Sequence, residues 1–211
     1  MAGNQPSGGQ ARQRSQATTR RRLLDAAAVL FALHGSSMTT IQMVAHKAGI
    51  AAGTVYLHFA DKDTLLQAVL AEALGELKSC LAGAASTRTA RTAAQDVRQR
   101  TEGLVRFADE HRDLAAVLFD PANLGTPAGA DTLAFLVASQ AAGLAEDRGR
   151  GWVRREVDEE IAARALVGSL MLVLHWWIGQ GGSNGQPAAA SRLIDQLAGL
   201  RLHGTGTPAR A

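Results

Sequence analysis

The sequence predicts an all-α protein: a three-helix N-terminal unit followed by a larger helical domain, about nine helices in total. Three observations carry that prediction. Hydrophobic residues make up 46% of the 211 residues and charged residues 19%, the balance of a globular chain rather than a disordered one. There are five prolines, and Ala and Leu dominate where β-branched runs would mark strands. Apolar residues also recur at i, i+3, i+4, i+7 in one segment after another.

Residues 1–17 hold no apolar core, which argues against a signal peptide, and read as a flexible basic tail. From Thr18 to His34 the stripe Leu24, Ala27, Ala28 and Phe31 predicts a first helix, capped by Thr18 or Thr19 and stopped by Gly35. Thr40 is placed to cap a second helix that buries Ile41, Val44, Ala45 and Ala48, and Gly49 breaks it. A third, about Ala52 to Phe59, buries Val55 and Phe59. Residues 18–63 therefore form a first domain. Asp61 caps a fourth helix, apolar at Leu65, Leu66, Val69, Leu70, Ala73, Leu74 and Leu77, which runs to about Ala84 before a polar break at Thr87–Arg91.

The second domain, 64–202, continues with helices at about Thr92–Glu110, Asp113–Phe119, Asp131–Asp147, Arg154–Ile178 and Pro187–Leu200. Pro121, Gly125, Pro127 and Gly129 mark one loop, Gln180–Gln186 another, and 203–211 read as a second flexible tail. The longest apolar stretch, Ala165–Leu174, is about half of the ~20 residues a bilayer span needs, so no membrane partner is expected.

Charge is unevenly placed. Residues 1–66 carry seven Lys and Arg against three acids, whereas the remainder is nearly balanced, the asymmetry of a nucleic-acid-binding end on a neutral body. The single cysteine, Cys80, cannot close an internal disulfide, fits a cytoplasmic protein, and reads as a packing residue beside Leu77 and Leu81. Nothing suggests an enzyme. No glycine-rich phosphate loop follows a strand, and the six histidines are scattered without metal-ligand spacing, so no catalytic residue, metal ligand or cofactor is expected. Asp158, Glu159 and Glu160 suit the positive end of a helix dipole.

The short helices carry the functional signal. A helix-turn-helix needs a residue at positive φ in its turn and a small one where the helices approach, and Gly49 and Ala45 meet those demands, with Ile50 and Val55 packing the turn. With Val55 and Phe59 inside, Gly53, Thr54, Tyr56 and His58 lie outside, where a recognition helix meets a major groove. Thr54 suits a base edge, Tyr56 and His58 suit phosphates, and Gly53 permits close backbone approach. Thr39 and Thr40 open the preceding helix, whose N-terminus suits a phosphate, and Lys62 suits a second one. Arg20, Arg21 and Arg22 are either a solvated helix start or further phosphate or minor-groove contacts.

Gly35, Thr39-Thr40-Ile41, Val44-Ala45, Ala48-Gly49-Ile50, Gly53-Thr54-Val55-Tyr56, His58-Phe59, Lys62 and Leu65 together resemble the N-terminal domain of TetR-family transcriptional regulators, over about residues 18–70. The resemblance implies a homodimeric repressor of a near-palindromic double-stranded operator, released by a small molecule bound in the C-terminal domain. It places DNA contacts at Thr39, Thr40, Ala51, Ala52, Gly53, Thr54, Tyr56, His58 and Lys62. Ala51-Ala52 departs from the Ser followed by Lys or Arg usual there, which removes a cap and a basic contact. That favours thymine methyls or a larger role for the arginine-rich tail, and it opens the alternative of a ligand- or protein-binding dimer with weak or lost DNA binding.

For a mostly apolar effector the expected wall is Phe107, His111, Leu114, Leu118, Phe119, Phe135 and Trp176. For the dimer seam it is Leu166, Leu170, Val173, Trp177, Leu193 and Leu197, because Leu166–Leu174 is apolar nearly all round and needs cover on several sides.

Overall fold

The computed structural model describes residues 8–86 and 92–205. The expected polar break at Thr87–Arg91 and the ends of both tails, 1–7 and 206–211, lie outside the described residues. Among those described there are nine α-helices: α1 (Gly8–Met38), α2 (Ile41–Ala48), α3 (Ala52–Val55), α4 (Lys62–Ser86), α5 (Ala93–Glu110), α6 (Arg112–Leu118), α7 (Pro127–Gly149), α8 (Glu159–Gly179) and α9 (Pro187–Thr205), with a 3₁₀ turn at Pro121–Gly125.

Helices α1 to α3 and the start of α4 form a head around Leu23, Leu24, Ala27, Phe31, Val44, Val55, Phe59 and Leu65, all buried. Each such Leu, Val or Phe contributes about 1.5–3 kcal/mol on burial. The apolar face of α4 continues without a break from the head through Leu70, Ala73 and Leu77 into the body. There α4 packs on α5, α6 and α7, α7 lies along α8, and α9 lies along α5, leaving α8 and α9 almost out of touch with each other.

Several boundaries differ from the sequence expectation. Helix α1 starts ten residues before Thr18, so residues 8–17 are helical rather than a loose tail. Thr18 is no cap: its hydroxyl donates to Arg14 O at 2.9 Å, as inside a helix. Gly35, at φ 75° and ψ 160°, does break the regular helix, and the chain makes one more turn to Met38. Helix α7 begins at Pro127, not Asp131, because Thr126 caps it by accepting from Gly129 N at 3.0 Å and proline at N1 lacks only an N–H that no helical carbonyl would have used. Helix α8 begins at Glu159, capped by Asp158 (Ile161 N to Oδ1, 2.9 Å), which leaves Arg154 outside it. Helix α9 runs past Leu200 into the segment read as tail.

By length and mean hydropathy α7 and α8 could each cross a membrane. In the fold they pack against one another and bear charges near their ends, among them Asp147, Arg148 and Arg164.

Candidate nucleic-acid interface and internal cavity

The turn between α2 and α3 is built by three local devices. Gly49 adopts φ 63° and ψ 40°, a left-handed conformation open to glycine without steric cost, and Ile50 N donates back to Ala45 O at 2.9 Å to close the helix end. Arg22 reaches across from α1 and donates from Nη2 to Ala48 O at 2.5 Å, so a cation sits on the negative end of α2. At the other end Thr40 Oγ1 accepts from Met43 N at 3.2 Å, the expected N-cap.

Helix α3 is shorter than predicted. One α-turn covers Ala52–Val55, after which Leu57 N bonds Thr54 O and His58 N bonds Val55 O, the tighter i to i+3 pattern. Val55 and Phe59 are buried as expected, and Gly53 and Tyr56 are exposed, Tyr56 at 53%. Thr54, His58, Ala52 and Lys62 are half-buried at the same surface, and Ala51 and Thr40 are exposed. Leu57, 82% exposed beside Tyr56, is a candidate contact missed in the sequence, although Val55 and Phe59 facing inward already place it outside.

Two expected contacts are otherwise engaged. Thr39 is 1% exposed and shares its hydroxyl hydrogen between Leu30 O (3.1 Å) and Gly35 O (2.8 Å), so it staples α1 to α2 instead of facing outward. Lys62 Nζ donates to Ser37 O at 3.2 Å, which uses one of its three hydrogens to hold α4 against the end of α1. Each arginine of the triplet has a partner within the fold. Arg20 stacks 5.2 Å from the Phe59 ring, Arg21 pairs with Asp25 (2.8 Å) and Glu72 (2.9 Å), and Arg22 caps α2. The Asp25 and Glu72 carboxylates raise the Arg21 pKa, with partial burial opposing them.

Ala51 occupies the N-cap of α3, at φ −64° and ψ 138°, and no side chain caps the helix there. Ala51→Ser should therefore raise stability by about 0.5–1 kcal/mol. Thermal melting checks this, and an unchanged or lower midpoint would count against the capping argument.

In the body, a cavity of about 520 Å³ lies between α4, α5, α7, α8 and α9, a size typical of small-molecule sites. Leu77, Leu81, Leu104, Leu136 and Met171 form its apolar wall, and Gln140, Arg100 and Arg201 its polar end. Asp147, 3% exposed, holds that end together: it accepts from Arg201 Nη2 at 2.9 Å and Arg100 Nη2 at 3.3 Å, and Arg100 Nε also reaches Asp96 at 2.6 Å. Burial is the main reason that the Arg201 pKa falls below its ordinary value, and the neighbouring Arg100 charge adds to it.

Of the residues expected to line an effector site, Phe119 lines this cavity. Phe107 and Leu118 are buried in solid core, Phe107 stacking 5.7 Å from His111 and meeting Phe119 edge-on at 6.1 Å. Leu114 packs beside that core, and His111 turns toward α4. Phe135 is exposed, with Lys78 Nζ 4.1 Å over its ring. Of the two tryptophans, Trp176 is 60% exposed and Trp177 is 6% exposed inside the protomer, and neither lines the cavity. Leu166, Leu170 and Leu197, expected at a dimer seam, line the cavity within the protomer. Val173 and Leu193 are half-buried on α8 and α9. Periodicity along one helix marks an inward face, but whether that face meets core or cavity depends on the neighbouring helices.

Comparison with known proteins bears on the head most directly. Residues 23–69 match the family model described as bacterial regulatory proteins of the tetR family. Over 53 residues the chain is 49% identical to the HTH-type transcriptional regulator SrpR of Pseudomonas putida, a match spanning 25% of each protein. The aligned part is thus about a quarter of that relative's length. The whole fold resembles that of the transcriptional regulator FadR of Bacillus subtilis in complex with stearoyl-CoA (TM-score 0.70, 18% identity, 87% of this chain and 98% of that one). It also resembles a TetR-like transcriptional regulator from Rhodococcus sp. RHA1 (TM-score 0.65, 25% identity, 89% and 97%).

Proposed function

We propose that this protein, whose residues 23–69 match the tetR family of helix-turn-helix regulators, is a cytoplasmic, homodimeric repressor released from a near-palindromic operator by a mostly apolar small molecule. The observation that carries this reading is the course of α4. Its first turns hold the head core through Leu65, Leu66 and Val69, and its later turns wall the cavity through Leu77 and Leu81. A ligand in the cavity and a duplex on the head thus bias one rigid element, the requirement for coupling two sites.

A second link runs beside it. Ser36 Oγ, at the end of α1, donates to Asn123 Oδ1 at 2.6 Å, and Asn123 Nδ2 donates to Val117 O at 2.8 Å, all buried, so the head is latched to the α6–α7 corner. The related fold that holds stearoyl-CoA supports an apolar effector, since the same architecture there accommodates an acyl chain. DNA is read by α3 and the tight turns that follow it, through Thr54, Tyr56, His58 and the backbone at Gly53, with Thr40, Ala51, Ala52 and Lys62 around them.

The test is fluorescence anisotropy on a duplex from upstream of the protein's own gene against a random duplex, at two salt concentrations. Selective binding that weakens by roughly 10³-fold or more between 50 and 200 mM salt is expected, because phosphate contacts release counterions. Gly53 has open space where a Cβ would lie. Gly53→Ala should accordingly raise the melting point, by about 0.5–1 kcal/mol of stability, while weakening selective binding by obstructing the groove. The capless, apolar start of α3 at Ala51-Ala52 favours a second reading, a ligand- or protein-binding dimer without DNA affinity. Equal, weak, salt-insensitive binding to both duplexes would decide for it.

A further inference from the structure

We propose that Cys80, Glu110 and His111, completed by Glu76, form a binding site for a divalent transition metal of the zinc class, a site independent of both the DNA face and the cavity. The Cys80 sulfur, a His111 ring nitrogen and a Glu110 carboxylate oxygen all lie within 4.8 Å of one another. Glu76 sits one turn before Cys80 on the same face of α4, and its Oε2 is 3.6 Å from His111 Nε2. With metal–ligand bonds of about 2.0–2.3 Å, the edges of a tetrahedral site are roughly 3.5 Å. The Glu76–His111 separation already has that length, and the three separations among Cys80, Glu110 and His111 need to close by no more than about 1.3 Å.

The local structure explains how residues thirty positions apart converge. Helix α5 ends at Glu110, and His111, at φ −123° and ψ 52°, is the non-helical joint before α6. The break turns two consecutive side chains toward α4, and stacking on the buried Phe107 ring holds the imidazole in place. Burial falls from Cys80 (8% exposed) through half-buried His111 to exposed Glu110, so the site has a closed floor and an open entrance for an ion. The donor set, one thiolate, one imidazole and carboxylates, is that of zinc and cobalt and excludes the all-oxygen preference of calcium and magnesium. Two or three anionic donors would balance the dication, beside Arg106, whose Nη2 donates to Cys80 O at 2.6 Å. An ion here would join α4 to the α5–α6 corner, and α6 packs against α1 of the head.

Tag-free full-length protein, stripped with a chelator, is titrated with Co(II). The expected result is one Co(II) per chain, a near-ultraviolet thiolate-to-cobalt charge-transfer band, and displacement of Co(II) by Zn(II). Cys80→Ser abolishes the band. His111→Gln and Glu110→Gln, both reachable from solvent and checked for folding by circular dichroism, each weaken Co(II) binding by about tenfold or more. Zn(II) raises the melting point of the parent chain but not of His111→Gln. No charge-transfer band in excess Co(II), or unaltered affinity in both His111→Gln and Glu110→Gln, overturns the proposal. Neither outcome depends on DNA binding, so the regulator reading stands or falls separately.

Discussion

Gly129→Ala is expected to cost about 3 kcal/mol or more of stability, lowering the melting point by roughly 6–12 °C for a domain of this size. The reason is a backbone contact. A Cβ on Gly129 would lie 1.9 Å from Asn123 O and 2.5 Å from Asn123 C, and 3.1 Å from Thr126 Oγ1. The two nearest are backbone atoms, which cannot swing aside. Asn123 is itself pinned at its side chain by Ser36 and Val117, and Thr126 Oγ1 both donates to Asn123 O at 2.7 Å and accepts from Gly129 N at 3.0 Å. Inserting one methyl must therefore push the 3₁₀ turn away from α7 or break that buried network, and leaving such groups unsatisfied costs about 1–3 kcal/mol each. The matched control is Gly75→Ala in α4. Its Cβ would meet nothing within 4 Å, so the same chemical change should stabilise by about 0.5–1 kcal/mol. Equal melting points for the two variants would refute the close packing of α7 on the turn.

Trp176→Arg is expected to leave the fold intact, dissociate the proposed dimer to monomers, and lower affinity for a two-half-site operator by about 10²–10⁴-fold, the advantage lost when two linked heads become one. The observation behind it is a line of large apolar side chains left open on α8: Ile161 at 69%, Leu172 at 60% and Trp176 at 60% exposed, with Leu200 of α9 at 65%. Surface substitutions away from special features normally change stability by less than about 0.5 kcal/mol, so the loss would be one of association. Trp177→Ala provides the contrast. At 6% exposure it is a core side chain, and its removal should cost about 3–5 kcal/mol of stability. Light scattering at micromolar concentration and anisotropy on the operator read the first variant, and thermal melting the second. A Trp176→Arg protein that remained dimeric would place the seam elsewhere.

The neighbouring tryptophans also mark the limit of what sequence reading reaches. Three consecutive helical residues point in three directions, so His175-Trp176-Trp177 promised one ring inside and one outside. Which is which depends on how α8 is rotated against α7, and in the fold Trp177 is buried and Trp176 open. The loop expected from Pro121 to Gly129 failed for a different reason. Thr126-Pro127 is a cap followed by proline at N1, a helix start that four Pro and Gly residues in nine positions disguised. Thr39 was misjudged because two adjacent threonines look equivalent in sequence, yet the break at Gly35 turns one toward Leu30 O and leaves the other to cap α2.

By itself the sequence determined the helical class, the head and the turn that defines it. Those depend on interactions within about four residues: apolar spacing around one helix, a cap, a glycine at positive φ, a small residue at a crossing. Only the tertiary structure decided where the cavity lies, which tryptophan faces out, and that Cys80 meets Glu110 and His111. These depend on the angles at which separate helices pack, and such angles are set by side-chain contacts spread over the whole body, with no local pattern to carry them.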